Sequence, residues 1–212
     1  LKIDARTAQT AKKRDWQPER DAEIDGLRAR GTYTIEDAAS VDGPIIRSTW
    51  VYKTKMKDDG KGNSVLDKHK ARLCARGDTQ QYGTDFDHTW APVAKFAIVR
   101  LLIALACCCG YDLDQLDFSS AFVQSLVDRV IYMYLPKGFN PTPEEKALIA
   151  RHGGKVVWKL HKCLYGLKQS GRQWYLTIKS WLIAYGFKCL VSDCCVFIMH
   201  SGGVATPPGN GG

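Results

Sequence analysis

The chain has 212 residues, 45% of them hydrophobic and 10% aromatic, a balance that supports a sizeable core and excludes wholesale disorder. Its formal net charge of +8 suits a phosphate-rich partner without requiring one. The longest apolar run, from about Phe96 to Gly110, falls short of the roughly 20 residues of a membrane span. The charged start, with Lys2, Asp4, Arg6 and Lys12-Lys13-Arg14, lacks the apolar core of a secretory signal.

In chain order, residues 1–19 read as a flexible lead-in. A short helix is expected over 20–30, stopped by Gly31, and a short strand over 32–35. Residues 50–57 alternate strictly, with Trp50, Tyr52, Thr54 and Met56 on one face and Val51, Lys53, Lys55 and Lys57 on the other. The run Asp58-Asp59-Gly60-Lys61-Gly62-Asn63 is a turn by composition. A second strand over about 68–76 sets Lys70, Arg72 and Arg76 against Ala71, Leu73 and Ala75. Residues 50–80 thus hold eight Lys or Arg against four Asp, and both strands of the hairpin carry a basic face.

A helix over about 94–109 is apolar on nearly every side, the pattern of a buried helix, with Gly110 as its stop. Strands are expected over 111–118, 130–135 and 155–161, with a polar loop opened by Pro136, Pro141 and Pro143. An amphipathic helix over about 169–185 ends at Gly186, strands are expected over 187–190 and 195–199, and residues 200–212 read as a disordered tail. Without regular βαβ alternation, the fold class is α+β.

Two features stand out chemically. Asp117 stands near an expected strand end, followed by Phe118, Ser119, Ser120 and an aromatic at Phe122. A carboxylate there suits Mg²⁺, a hard ion shared between one or two carboxylates and substrate phosphates. From spacing alone a solvated or helix-capping aspartate is the more common reading, and Asp114 competes for the role from the opposite side of the strand. The basic hairpin could supply the positive groups that phosphoryl transfer needs, or be a solvated face. The loop Leu164-Tyr-Gly-Leu-Lys-Gln-Ser170 is weaker: Gly166 permits close backbone approach and Lys168 adds charge. The eight cysteines show no zinc-knuckle spacing and read as small apolar filler. No Walker-type phosphate loop and no serine or cysteine nucleophile signature is present.

Seven stretches in order carry a resemblance. They are Thr49-Trp-Val-Tyr-Lys-Thr-Lys55, Lys70-Ala-Arg-Leu-Cys-Ala-Arg-Gly77 and Gln81-Tyr-Gly-Thr-Asp-Phe-Asp-His-Thr-Trp-Ala-Pro-Val93. Then come Gln115-Leu-Asp-Phe-Ser-Ser-Ala-Phe122, Ile131-Tyr-Met-Tyr-Leu-Pro-Lys-Gly-Phe139, Leu164-Tyr-Gly-Leu-Lys-Gln-Ser-Gly-Arg-Gln-Trp174 and Phe187-Lys-Cys-Leu-Val-Ser-Asp-Cys-Cys195. Together they resemble the reverse transcriptase region of copia-type LTR retrotransposon polyproteins, over about residues 16–199.

The resemblance implies a right-hand polymerase: a reverse transcriptase domain over 20–199, with fingers about 47–110 and 141–175 and a partial palm about 111–140 and 176–199. By position Asp117 resembles the first catalytic aspartate, a ligand of two Mg²⁺ ions. Phe122 resembles the aromatic under the incoming sugar, and Ser119 and Ser120 offer backbone amides to the triphosphate. Arg72 resembles the arginine that packs on the incoming base, Lys53 or Lys55 a phosphate-binding lysine, and Tyr165, Gly166 and Gln169 the pocket loop. The implied partners are an RNA template, a DNA primer, their RNA–DNA hybrid and deoxynucleoside triphosphates, with no membrane. The implied place is the cytoplasm in a virus-like particle, or the nucleus.

Departures accompany the match. Ser170-Gly171 replaces the family's Ala-Pro, which is expected to loosen the turn into the helix. Asp78 stands where an aromatic is common and Trp90 where Phe is common. The family's Tyr-x-Asp-Asp hairpin does not follow Met199, so a truncated, inactive copy is expected. A non-catalytic nucleic-acid-binding module and a non-functional remnant are the alternatives.

Overall fold

The structure is a computed structural model that describes residues 14–199; the expected tail and all but the end of the lead-in lie outside the described residues. It is mixed α+β, as expected. Helix α1 (Gln17–Ala29) starts three residues before the expected position, with Pro18 and Glu19 in its first turn and Arg28 in its last, which suits the helix dipole. Strand β1 (Tyr33–Asp37) follows the turn at Gly31. Then come β2 (Ile45–Ile46), β3 (Ser48–Asp58) and β4 (Ser64–Ala75). Helix α2 (Phe96–Cys109), β5 (Leu126–Tyr134), helix α3 (Pro143–Arg151), β6 (Val156–Lys162) and helix α4 (Ser170–Ala184) continue the chain. The short strands β7 (Lys188–Cys189) and β8 (Phe197–Ile198) close it, each shorter than expected.

A four-stranded sheet in the order β1-β6-β5-β2 organises the molecule, antiparallel except for the β2–β5 pair. Its inward residues Ile131, Met133, Trp158 and Leu160 are buried with Ile24 and Leu27 of α1, and Leu73 and Ala75 of β4 join the same core. Tyr33 stacks on Trp158 at 3.7 Å between ring centroids, and Phe139 meets both rings edge-on. Burying aromatics of this size supplies much of the driving force.

The β3–β4 hairpin forms as expected, pairing Val51 with Arg72 and Lys53 with Lys70, with a register shift between Lys55 and Met56. Because directly opposed residues share a face, Lys53 and Lys55 lie on the same side as Lys70 and Lys68. The opposite face is covered by α1: Trp16 stands 4.7 Å from Tyr52 and 5.4 Å from His69, and Arg20 Nε donates to the Tyr52 hydroxyl at 2.7 Å. Arg76 falls beyond the strand and pairs with Asp78 at 2.5 Å.

Four expectations are corrected. The loop opened by Pro136 gives way to α3 at Pro143, started by a reciprocal capping box between Thr142 and Glu145. Residues 111–118 form no strand: no described residue supplies a ladder partner, and Tyr111, Leu113 and Leu116 are exposed. Helix α2 is not buried, for among the described residues its apolar faces have little to pack on; only Ala106 is buried, and Phe96, Leu101, Ile103 and Leu105 are exposed. The cysteines are not general filler, since Cys163 alone is buried and residues 107–109 are exposed.

Candidate functional site

The expected site residues divide into a connected group and a set apart. Arg72, on β4, places its guanidinium carbon 3.9 Å from the Tyr165 ring centroid. Tyr165 in turn lies 4.9 Å from Phe122, tilted by 58°. A cation over an aromatic face and two rings in contact are favourable arrangements. They bring together one residue from the basic hairpin, one from the loop before α4 and one from the segment after Asp117.

Gly166 explains how that loop reaches the hairpin. Ala75 donates its amide to the Tyr165 carbonyl at 2.7 Å, and Gly166 has φ +92° with a Cβ position only 2.1 Å from the Ala75 carbonyl oxygen. A side chain there would meet backbone. Gly77 faces the same constraint from the other side, its Cβ position 2.0 Å from the Gly166 carbonyl oxygen.

Gln169 is fully buried and braces the loop from behind. Its Nε2 donates to the Asp85 carbonyl at 2.8 Å, and its Oε1 accepts from Gln80 Nε2 at 3.1 Å. Gln80 Oε1 accepts from the Lys168 amide at 2.8 Å, and the buried Asp85 carboxylate accepts from the Gln81 amide at 2.8 Å. Buried amides of this kind fix a loop because leaving one unpaired is costly. Ser170 is buried and its hydroxyl donates to the Leu164 carbonyl at 2.6 Å, so the Ser170-Gly171 departure pins the turn rather than loosening it.

Lys53 and Lys55 are exposed on β3, on the Arg72 side but farther out. Val51 is the residue opposite Arg72, so the two lysines stand about 7 and 13 Å along the strand from that level, at about 3.3 Å per residue. They do not join the aromatic group. Asp117 is exposed in the irregular stretch before the turn at Ser119 and Ser120. Ser120 has φ +54°, an uncommon backbone state for a residue with a side chain. It leads into a single 3-10 turn, Ala121–Gln124. Next to Asp117, Phe118 meets Trp174 of α4 edge-on at 5.1 Å, beside an apolar cavity of about 290 Å³.

The fit of Mg²⁺ to these residues is partial. Asp117 offers a hard oxygen ligand, yet among the described residues it belongs to no group of three ligating side chains; the one such trio is Asp193, Cys194 and Cys195. Among the described residues, no complete pair of Mg²⁺ sites is therefore present at Asp117.

Sequence reasoning missed Gln80, Asp85 and Gly77 as supports of the loop. Their partners lie 84 to 89 residues away, so no local pattern could reveal them. Among the described residues, no helix is long and apolar enough to cross a membrane.

The family described as reverse transcriptase (RNA-dependent DNA polymerase) matches residues 30–205. A retrovirus-related Pol polyprotein from transposon TNT 1-94 of Nicotiana tabacum is 34% identical over 175 residues, covering 82% of this chain. Those from transposons RE1 and RE2 of Arabidopsis thaliana are 32% and 30% identical, each covering 93% of it. The chain spans 12–13% of the length of these relatives. No solved structure matches.

Proposed function

Since the chain belongs to the reverse transcriptase family, in its copia-type retrotransposon branch, we propose that it forms the nucleotide- and hybrid-facing part of an RNA-directed DNA polymerase. The observation that carries this reading is the contact chain from Arg72 through Tyr165 to Phe122. It joins the basic hairpin to the segment of Asp117, where an incoming deoxynucleotide would have to lie. In this reading the β3–β4 hairpin belongs to the fingers. Lys53 and Lys55 attract phosphates, Arg72 stacks on the base, and Phe122 lies against the sugar. Asp117 contributes one carboxylate to the Mg²⁺ site, with the amides of Ser119 and Ser120 towards the triphosphate. Template, primer and deoxynucleoside triphosphates are the proposed partners.

Taken alone, residues 1–212 are proposed to bind an RNA–DNA hybrid without extending a primer, because Asp117 by itself cannot hold two ions for an in-line displacement. The test is a pair of assays on the purified chain. Binding to a hybrid duplex should weaken steeply with salt, and primer extension on a polyribonucleotide template with Mg²⁺ should give no product. Absence of binding at low salt overturns the hybrid-facing role. Extension that Asp117→Asn abolishes overturns the inactivity.

A further inference from the structure

The hairpin β7–β8 holds the described residues' one close trio of ligating side chains, and the proposed polymerase role uses none of them. One carboxylate oxygen of Asp193 and the sulfurs of Cys194 and Cys195 all lie within 4.8 Å of one another. Adjacent cysteines in sequence do not announce a metal site. Here the turn between β7 and β8 folds both back over the preceding aspartate.

A second observation concerns Asp193 itself. The residue as a whole is about nine-tenths buried. Oδ1 accepts from the Cys195 amide at 2.9 Å, but Oδ2 is buried with no hydrogen-bond partner. A buried carboxylate oxygen left unpaired is costly, and a cation is the natural partner for one beside two thiols. The surroundings add sulfur: Cys189 Sγ stands 3.4 Å from the Cys194 carbonyl oxygen. They also add an approach route, for a cavity of about 480 Å³ is lined by Trp90, Lys95, Asp193 and Cys194 among others.

We propose that Asp193, Cys194 and Cys195 form a site for a single thiophilic divalent ion, with Zn²⁺ the best fit. Two thiolates exclude Mg²⁺ and Ca²⁺, which take oxygen ligands, and the carboxylate favours Zn²⁺ over monovalent copper. Zinc–sulfur bonds of about 2.3 Å at the tetrahedral angle set the sulfurs about 3.8 Å apart, so closing around the ion needs shifts of about 1 Å. The fourth position falls to water or to Cys189. Binding exchanges two S–H protons for two Zn–S bonds, so two protons leave to solvent with no change of oxidation state.

The test uses the full chain kept reduced with a non-thiol phosphine. Zn²⁺ should compete with a chromophoric chelator at about one ion per chain and release about two protons. Co²⁺ in its place should show thiolate charge-transfer absorption. Asp193→Asn keeps an oxygen for the Cys195 amide and should weaken binding at least tenfold, as should Cys194→Ser and Cys195→Ser. Circular dichroism without metal checks that each variant folds. Serine at all of Cys107, Cys108 and Cys109 should leave binding unchanged. The proposal fails if Asp193→Asn binds Zn²⁺ as tightly as the parent, if only the 107–109 variant loses it, or if the reduced parent does not compete.

Discussion

Arg72 lies over the face of Tyr165, its guanidinium carbon 3.9 Å from the ring centroid, and the two residues come from segments that touch through backbone at Ala75 and Gly166. The guanidinium is thus held in place from the loop side while its charge stays partly open to solvent. Removing it should leave the fold intact and weaken hybrid binding. Arg72→Ala should lower the slope of log affinity against log salt by about 1. It should cost about 0.5–1 kcal/mol of stability through the lost ring contact. Fluorescence anisotropy at several salt concentrations measures the slope; an unchanged slope places Arg72 off the nucleic-acid path.

Gly166 should not tolerate a side chain. Its φ of +92° and the Ala75 carbonyl oxygen 2.1 Å from the Cβ position combine backbone strain with a clash against a strand. Gly166→Ala should cost about 2–4 kcal/mol, summing the two effects. Urea denaturation should show this as a lower midpoint with an unchanged slope. Gly83→Ala, where φ is +83° but nothing lies within 4 Å, is the control that carries strain without the clash and should cost less.

Gln169 should be replaceable only at a high cost. Gln169→Leu fills nearly the same volume but leaves Gln80 Nε2 and the Asp85 carbonyl without their partner at a fully buried position. A loss of about 2–4 kcal/mol is expected for two such orphaned groups. Hydrogen exchange should speed up at the Lys168 amide, which Gln80 Oε1 holds at 2.8 Å.

The hairpin was legible because strict alternation between Trp50 and Lys57 encodes both strand and face, and the structure repeats it in register. The start of α3 was legible too, in Thr142 followed three residues later by Glu145, but three nearby prolines hid it under a loop reading. Proline at the first helical position favours a start. What could not be read was long-range. Whether residues 111–118 pair depends on a neighbouring strand, and the burial of α2 depends on what packs against it, neither of which local pattern contains. The same holds for the site. The family resemblance marked Arg72, Phe122 and Tyr165 as candidates, whereas their contact depends on Gly166 meeting Ala75. Bringing Asp193 against two thiols needed the β7–β8 turn.

Glu145 should set an acid limit to stability. Its carboxylate accepts from Arg28 at 2.9 Å, from the Thr142 amide at 2.9 Å and from the Tyr33 hydroxyl at 3.0 Å. Burial raises its pKa, but these three bonds outweigh burial and hold it below the ordinary carboxylate value. A depressed folded-state pKa gives stability that is present above the unfolded value, near 4.3 for glutamate. That stability is lost as pH falls through the folded value. Glu145→Gln should therefore cost about 1–3 kcal/mol at neutral pH through the lost Arg28 ion pair, since glutamine can still close the capping box. The difference from the parent should shrink below about pH 4. Thermal melts of both proteins across that range measure the convergence; parallel curves would exclude the linkage.

Glu23 carries the opposite sign. Its Oε1 accepts from the Leu73 amide at 3.3 Å on the outer edge of β4, and burial raises its pKa, opposed by that bond and by Lys70, Arg72 and Arg30. A carboxyl group whose folded pKa is raised takes up its proton more readily in the folded state. It therefore favours folding at low pH and loses that contribution as pH rises through the folded value. At neutral pH the ionised group is a burden. Glu23→Gln keeps an oxygen for the Leu73 amide and removes the buried charge. It should raise the melting temperature at pH 7, by about 2–4 °C for each kcal/mol at this chain length, and lose that advantage below about pH 4. A melting temperature that falls at pH 7 would mean that attraction to Lys70 and Arg72 outweighs the cost of burial.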